Sequence, residues 1–338
     1  MNIHDAAKPF LMMALFAMPA AASPQDELAV RMSVPAFGFA AEIEVRDLPR
    51  ETAEAAIRAA LTEIYELDAL LDAESSKPGS VGFLNQAAGQ GAQLIDPRVA
   101  DVLRRSLRFC SWSDGAFGPL ANELHRLWSN EDDIPDPGAL RTAVIRADCE
   151  RLTVSELSED ASAELIDGSQ IELGGIAIGY AVDRAFEILR EHQVENAWVE
   201  IGHVWRGTGL GPEGKGWLAV LPPVPNADSE APLDQLWLEN QALVTSPGHY
   251  GQGKAGMLID QRTGVPATGV VAIVAVTEFA TDAAGLGESL VILGLREGQM
   301  RLGPITPRPS LYWLLGDGQG RPLESAYRWS ELRRIKRR

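Results

Sequence analysis

Ile171-Glu-Leu-Gly-Gly-Ile-Ala-Ile-Gly-Tyr-Ala-Val-Asp183 is the stretch on which the reading of this chain turns. A glycine pair, Gly174-Gly175, stands where an extended run gives way to a helical one carrying Ile176, Tyr180, Phe186 and Leu189. Glycines at a helix start let a ligand approach the backbone closely, and the unpaired N–H groups there suit a phosphate. The same pair would also serve a tight strand-to-helix turn with no ligand. On this stretch alone both readings stand.

Outward from it, strand and helix patterns mix without strict alternation. Phe37 to Val45 ends in the alternation of a strand with one wet face. Residues 51–72 place Ile57, Leu61, Ile64, Leu67 and Leu71 three or four apart, which predicts an amphipathic helix. A Ser/Pro/Gly loop, Ser75 to Ser80, precedes a second helix from about Pro97 to Ser113, broken at Gly115. Asp133 to Pro137 reads as a connection, and residues 151–174 as two short strands turning at Asp167-Gly168. Strand-like runs follow at Ala197–Ile201, Trp217–Leu221, Leu236–Leu238 and Ala242–Thr245. Val270–Val276 is apolar throughout, a helix follows from about Asp282 to Leu293, and Tyr312–Leu315 reads as the last strand. The fold class is therefore α+β, with two lobes folded as one unit over residues 23–330.

Composition bounds the function. Lys and Arg number 30 against 47 Asp and Glu, a net charge of −17, which argues against a nucleic-acid backbone as partner. An apolar share of 46% with 23% charged residues is that of a folded protein with a full core. Residues 1–22 combine Lys8, an apolar run from Pro9 to Met18 and an Ala20-Ala21-Ala22 end, the pattern of a secretory signal peptide. No Cys stands directly after that run, no later stretch is long enough to span a membrane, and the expected location is the periplasm. Cys110 and Cys149 would be free to pair there, but a buried free thiol at Cys110 is an equal reading. Arg333 to Arg338 forms a basic tail, from 331 on, read as a solvated end. Gly209-Leu-Gly-Pro-Glu-Gly214 matches G-x-G-x-x-G, but it runs into a strand and not a helix, so it reads as a hairpin loop. None of the five histidines stands at ligand spacing to another.

The glycine stretch has companions: Leu84-Asn85, Ser113-Asp-Gly-Ala-Phe-Gly-Pro119, Leu127-Trp128, Val244-Thr-Ser-Pro-Gly-His-Tyr250, Ile259-Asp-Gln-Arg-Thr-Gly-Val-Pro266, and Thr281-Asp282 before an apolar helix. In that order and at those separations the series resembles the ApbE family, the FAD:protein FMN transferases of bacterial envelopes. The resemblance runs from about Phe37 to Leu315. It implies FAD as substrate, with its pyrophosphate at the glycine-rich helix start, and Mg2+ beside it. A Thr hydroxyl of a periplasmic flavoprotein would attack the FMN-side phosphorus, leaving phosphoester-linked FMN and AMP.

Carried over position by position, the resemblance assigns flavin contacts to Phe37, Ala116, Phe117, Gly118, Glu172, Gly174, Gly175, Ile178 and Met257. It assigns the metal to the Ala177 carbonyl with Asp282 or Glu288, and catalysis to Asp282. Several of these positions depart from the family pattern. Phe37-Gly38-Phe39 stands for Met-Gly-Thr, Gly118 for an Asp, Glu172 for an Asp, Ile178 for a Lys, Met257 for a His and Gln261 for a Pro. The family's Asp and Thr four residues apart read Asp282 and Leu286 on one alignment, and Ala284 and Glu288 on the other. Glycines and core apolars are kept while charged side chains are lost. Two functions fit: an exported FMN transferase, or a catalytically degenerate flavin-binding or accessory protein in assembly of a periplasmic redox chain.

Overall fold

A computed structural model describes residues 29–129, 134–157, 160–224, 231–248, 257–316 and 320–335. The signal-peptide reading of residues 1–22 lies outside the described residues. In chain order the elements are β1 (Val30–Ala36), β2 (Phe39–Val45), α1 (Arg50–Leu71), α2 (Val81–Gln86), β3 (Gln93–Ile95), α3 (Pro97–Trp112), α4 (Asn122–Trp128) and α5 (Pro137–Arg146). Then come β4 (Leu152–Leu157), β5 (Asp160–Leu165), α6 (Gly175–Glu191), β6 (Ala197–Ile201), β7 (Val204–Thr208), β8 (Trp217–Val220), β9 (Gln235–Leu238) and β10 (Gln241–Pro247). The chain closes with β11 (Ile259–Asp260), β12 (Val265–Pro266), β13 (Val270–Thr277), α7 (Ala280–Arg301), β14 (Ser310–Leu315) and β15 (Leu323–Tyr327).

Eight strands form one antiparallel sheet in the order β1-β2-β6-β7-β10-β13-β14-β15. A smaller sheet, β3-β5-β4, and the pairs β8-β9 and β11-β12 complete an α+β architecture. The central strand β13 is apolar along its length because both faces of the large sheet are covered. Ile273 and Ala275 face the helices, while Val274 and Val276 join a cluster with Trp198, Trp205, Trp217 and Trp329. The helix-side core is continuous with residues of the small sheet, such as Ile95, Ala161 and Leu165.

Helix α6 is buried on nearly every side over its first three turns, lying between α1 and α7. Asp183 fixes it against α7. Its buried carboxylate accepts the N–H groups of Ala280 and Thr281 at 2.9 Å each, and the Thr281 hydroxyl at 2.6 Å. Arg206 of β7 donates to it at 2.7 Å, and that guanidinium also lies over the rings of Phe186 and Phe279. A carboxylate at a helix start satisfies orphan N–H groups and meets the positive end of the helix dipole. Close approach of the two helices requires Gly179, where a Cβ would fall 2.5 Å from the Ala280 carbonyl oxygen.

Several sequence readings are corrected. The strand expected from Phe37 starts at Phe39, because Phe37 and Gly38 turn the β1–β2 hairpin at φ 53° and 76°. Asp167-Gly168 follows both strands of its pair; it does not join them. Gly209 to Gly214 is no hairpin loop, since β8 pairs with β9 and not with β7. The run ending at Leu315 is not the last strand: β15 pairs beyond it. Helix α5, which no spacing signalled, begins where the connection ends at Pro137. Its Asp136-Pro137 start is a cap, Asp136 accepting the Gly138 and Ala139 N–H groups at 2.8 Å. Cys110 and Cys149 form a disulfide. The basic end is partly tied down, since Arg333 and Ile335 exchange backbone hydrogen bonds with β9.

Replacing Asp183 by Ala strips the start of α7 of its acceptor and leaves Arg206 facing an apolar gap. The expected loss is about 3–5 kcal/mol of unfolding free energy, the usual cost of breaking a buried, hydrogen-bonded charge pair. Denaturant melts of the variant and the parent chain measure it, and a change under about 1 kcal/mol would be incompatible with this role.

Candidate functional site

Gly174, the first of the glycine pair, lies at the wall of an open hollow of about 710 Å³, bounded by α4, the loop after α1, the segment entering β11, and α7. Glu172, Gly174, His125, Trp128, Met257 and Glu288 line it. A recess of about 30 Å³ adjoins it and brings in Phe117, Gly118 and Gln261.

Local chemistry builds this corner. Buried Asn85 of α2 clamps the backbone of Ile171, accepting its N–H at 2.7 Å and donating to its carbonyl at 3.0 Å. The Glu172 N–H then bonds the Pro119 carbonyl at 2.8 Å, which lays the glycine stretch beside the Phe117–Pro119 loop. Gln261 holds that loop from the other side. Its N–H donates to the Ala116 carbonyl at 3.0 Å and its Nε2 to the Gly118 carbonyl at 2.7 Å. Gly174 takes φ 56°, ψ −140°, a conformation that side chains resist, and so opens α6 abruptly.

What occupies the corner is the chain's own carboxylate. Glu288, from the middle of α7, accepts the Gly175 N–H on Oε1 at 2.9 Å. A Cβ on Gly175 would stand 2.6 Å from that oxygen, so the second glycine is needed to admit Glu288. Its Oε2 is buried without a hydrogen-bond partner. Burial pushes the Glu288 carboxyl up to about 7; the Gly175 N–H and His125 pull against that, and Glu172 adds to it. At the rim, His125 Nδ1 lies 2.8 Å from Glu172 Oε2, which orients the imidazole and leaves its Nε2 edge available.

The residues assigned by resemblance divide. Glu172, Gly174, Met257 and Glu288 meet at the hollow, with Phe117 and Gly118 in its recess. Gly175 stands behind Glu288. Ala116 contributes its carbonyl to Gln261, while Ala177 and Ile178 are buried in the first turn of α6. Phe37 sits at the β1–β2 turn and does not line the hollow. Asp282 is elsewhere: it lines a second hollow of about 380 Å³ with Arg108, Phe109 and Trp112. Burial also raises its carboxyl, with Asp183 adding to the effect. Arg262, which could have replaced a lost cation, is already engaged by Asp260 at 2.7 Å and Glu297 at 3.0 Å.

These positions do not build a magnesium site. Mg2+ wants an octahedron of oxygens, yet Glu288 brings one carboxylate, already bonded to an N–H, and Asp282 faces another hollow. Among the described residues no group of three or more His, Cys, Asp or Glu is arranged to hold a metal. Sequence reasoning missed the pairing of His125 with Glu172, because partners 47 residues apart leave no spacing signal. It also missed Gln261 as the clamp of the Phe117 loop.

Fold and site together define an α+β protein with a nucleotide-sized hollow at a glycine-rich helix start. The chain belongs to the ApbE family, whose pattern matches residues 37–304. A FAD:protein FMN transferase of Treponema pallidum is 28% identical over 158 residues, 44% of each chain. One of Vibrio cholerae is 24% identical over 252 residues, 69% of this chain and 74% of that one. The aligned part thus spans 44% and 74% of these two relatives. Among solved structures, the flavin transferase ApbE from Vibrio cholerae superposes with a TM-score of 0.75 at 20% identity, covering 88% of this chain and 96% of the other. The apo flavinyl transferase ApbE of Pseudomonas stutzeri gives 0.77 at 19% identity, covering 90% and 96%. At such identities the likeness shows the shared fold.

Glu288 and Glu200, both pushed up to about 7 by burial, set a pH dependence. Their ordinary value is 4.5, so the folded chain keeps protons that the unfolded chain releases. Their contribution to stability is full below about 4.5 and is lost as pH rises through about 7. Melting temperature is expected to fall between pH 5 and 7.5, and Glu288→Gln to flatten that fall. An unchanged slope in the variant would show that the buried carboxyl titrates normally.

Proposed function

We propose that this chain is an exported flavin-handling protein of the FAD:protein FMN transferase type, taking FAD into the hollow before Gly174 and Gly175. The observation that carries this reading is the hollow itself: a nucleotide-sized cleft at a glycine-rich helix start, in a chain of the ApbE family. Trp128 offers an aromatic wall, held by its Nε1–H on the Gly264 carbonyl at 2.8 Å. For transfer, a Thr hydroxyl of an acceptor protein must lose its proton as it attacks the FMN-side phosphorus. His125, aimed by Glu172, is the side chain on the wall best placed to accept that proton. The new phosphoester bond forms as the bond to AMP breaks. A periplasmic location rests on reading residues 1–22 as a signal peptide, and a periplasmic flavoprotein as acceptor on the family; both belong to this proposal.

A second reading has its own observation. Glu288 in the glycine corner, with Ile178 in place of a cation, favours a protein that holds flavin without transferring it. The discriminating experiment is incubation of the purified chain with FAD, Mg2+ and a Thr-containing flavin-attachment acceptor, followed by in-gel fluorescence. The expected outcome is retained FAD and slow labelling, at least about 10²-fold slower than the Vibrio cholerae relative side by side, because preorganised charge-stabilising groups are missing. His125→Gln should abolish labelling and spare FAD binding. Bound FAD with no labelling selects the holding role; no FAD binding removes both.

A further inference from the structure

We infer that Glu288 is the specificity-determining residue of this hollow: it holds the Gly175 N–H that a ligand phosphate would need, and so turns the site against diphosphates. The inference rests on the reading that the hollow takes a flavin nucleotide. Helix starts bind phosphates because their first N–H groups point outward, unpaired, at the positive end of the helix dipole. Here that place belongs to the chain's own carboxyl group. Glu288 Oε1 receives the Gly175 N–H at 2.9 Å, and a Cβ built on Gly174 would meet the same oxygen at 3.4 Å. A phosphate could reach the N–H only by displacing Glu288.

Electrostatics adds to the steric exclusion. Asp72, Glu74 and Glu172 share the wall with Glu288, while Arg126 is the cationic side chain on it and His125 is engaged by Glu172. Like charges a few ångströms apart in a partly dry cleft repel strongly. An isoalloxazine ring or a ribityl chain carries no charge and faces no such cost. The position of Glu288 is also no accident of a mobile side chain. The helix delivering it is tied to α6 through Asp183, and the glycine that admits it would clash with it if substituted. The chain thus carries, in its own fold, a competitor for the diphosphate seat.

The test titrates riboflavin and FAD by flavin fluorescence, and ADP by calorimetry, into the full chain and into Glu288→Gln and Glu288→Ala. The Gln variant keeps shape and acceptor without charge, and melting curves establish that each variant folds; if the Ala variant does not, the Gln variant decides. FAD affinity is expected to rise at least tenfold in the Ala variant, which loses bulk and charge, and at least threefold in the Gln variant, which loses charge alone; ADP binding is expected to rise with it, and riboflavin affinity to stay within twofold. FAD and ADP affinities that are unchanged or reduced would overturn the inference, as would riboflavin rising in step with FAD. A gain for ADP with no flavin binding in any chain would keep the inference and remove the flavin reading. Flavin binding without a selective gain for FAD and ADP would do the reverse. No binding of any of the three ligands by any chain would overturn both.

Discussion

Asp183 ties the start of α7 to the flank of α6, and the rest of the site follows from the register that this contact sets. Two antiparallel helices joined at one point run past one another at about 1.5 Å per residue. Eight residues back along α6 from Asp183 lies Gly175; seven residues forward along α7 from Thr281 lies Glu288. These distances agree to within about one residue's rise, so the Asp183 contact delivers the Glu288 carboxylate to the Gly175 N–H. Gly179, one turn before Asp183, lets the start of α7 come close against α6. Arg206 then links the pair to the large sheet through β7.

The corner so produced is unusual in its charge. A helix start normally offers N–H groups to a ligand, yet here an internal carboxylate takes the Gly175 N–H and its outer oxygen is left buried without a partner. Desolvation raises that carboxyl, and one N–H cannot compensate fully. Around it, Asn85 and Gln261 hold the glycine stretch and the Phe117 loop in place by hydrogen bonds to their backbones. Contacts that position the backbone are thus in place, while a carboxylate and not a cation faces the glycine corner. A scaffold and the chemistry it carries are separable in this way.

Legibility in the sequence followed the strength of local periodicity. Long elements with one apolar face or two, such as α1, α3 and β13, could be read because burial imposes a period on residue type. Short elements could not. Helices α2 and α4 span 6 and 7 residues, too few for a period to show, and α5 hides behind a Pro-Gly start. Of the site, the glycine pair, Glu172, Phe117, Gly118 and Met257 were legible from motif resemblance. The choice between Asp282 and Glu288 was not: the two alignments were equally good on paper, and the structure sends the two side chains to different hollows.

Local order alone determined the fold class, the family and the place of the glycine-rich helix start, because glycines, caps and apolar spacing act on near neighbours. Only the tertiary structure decided that Cys110 meets Cys149, that His125 meets Glu172 and that Glu288 fills the corner at Gly175. These contacts join residues 39, 47 and 113 positions apart. Such meetings are set by how helices and sheets pack as bodies, and packing leaves no mark on the spacing of the residues it brings together.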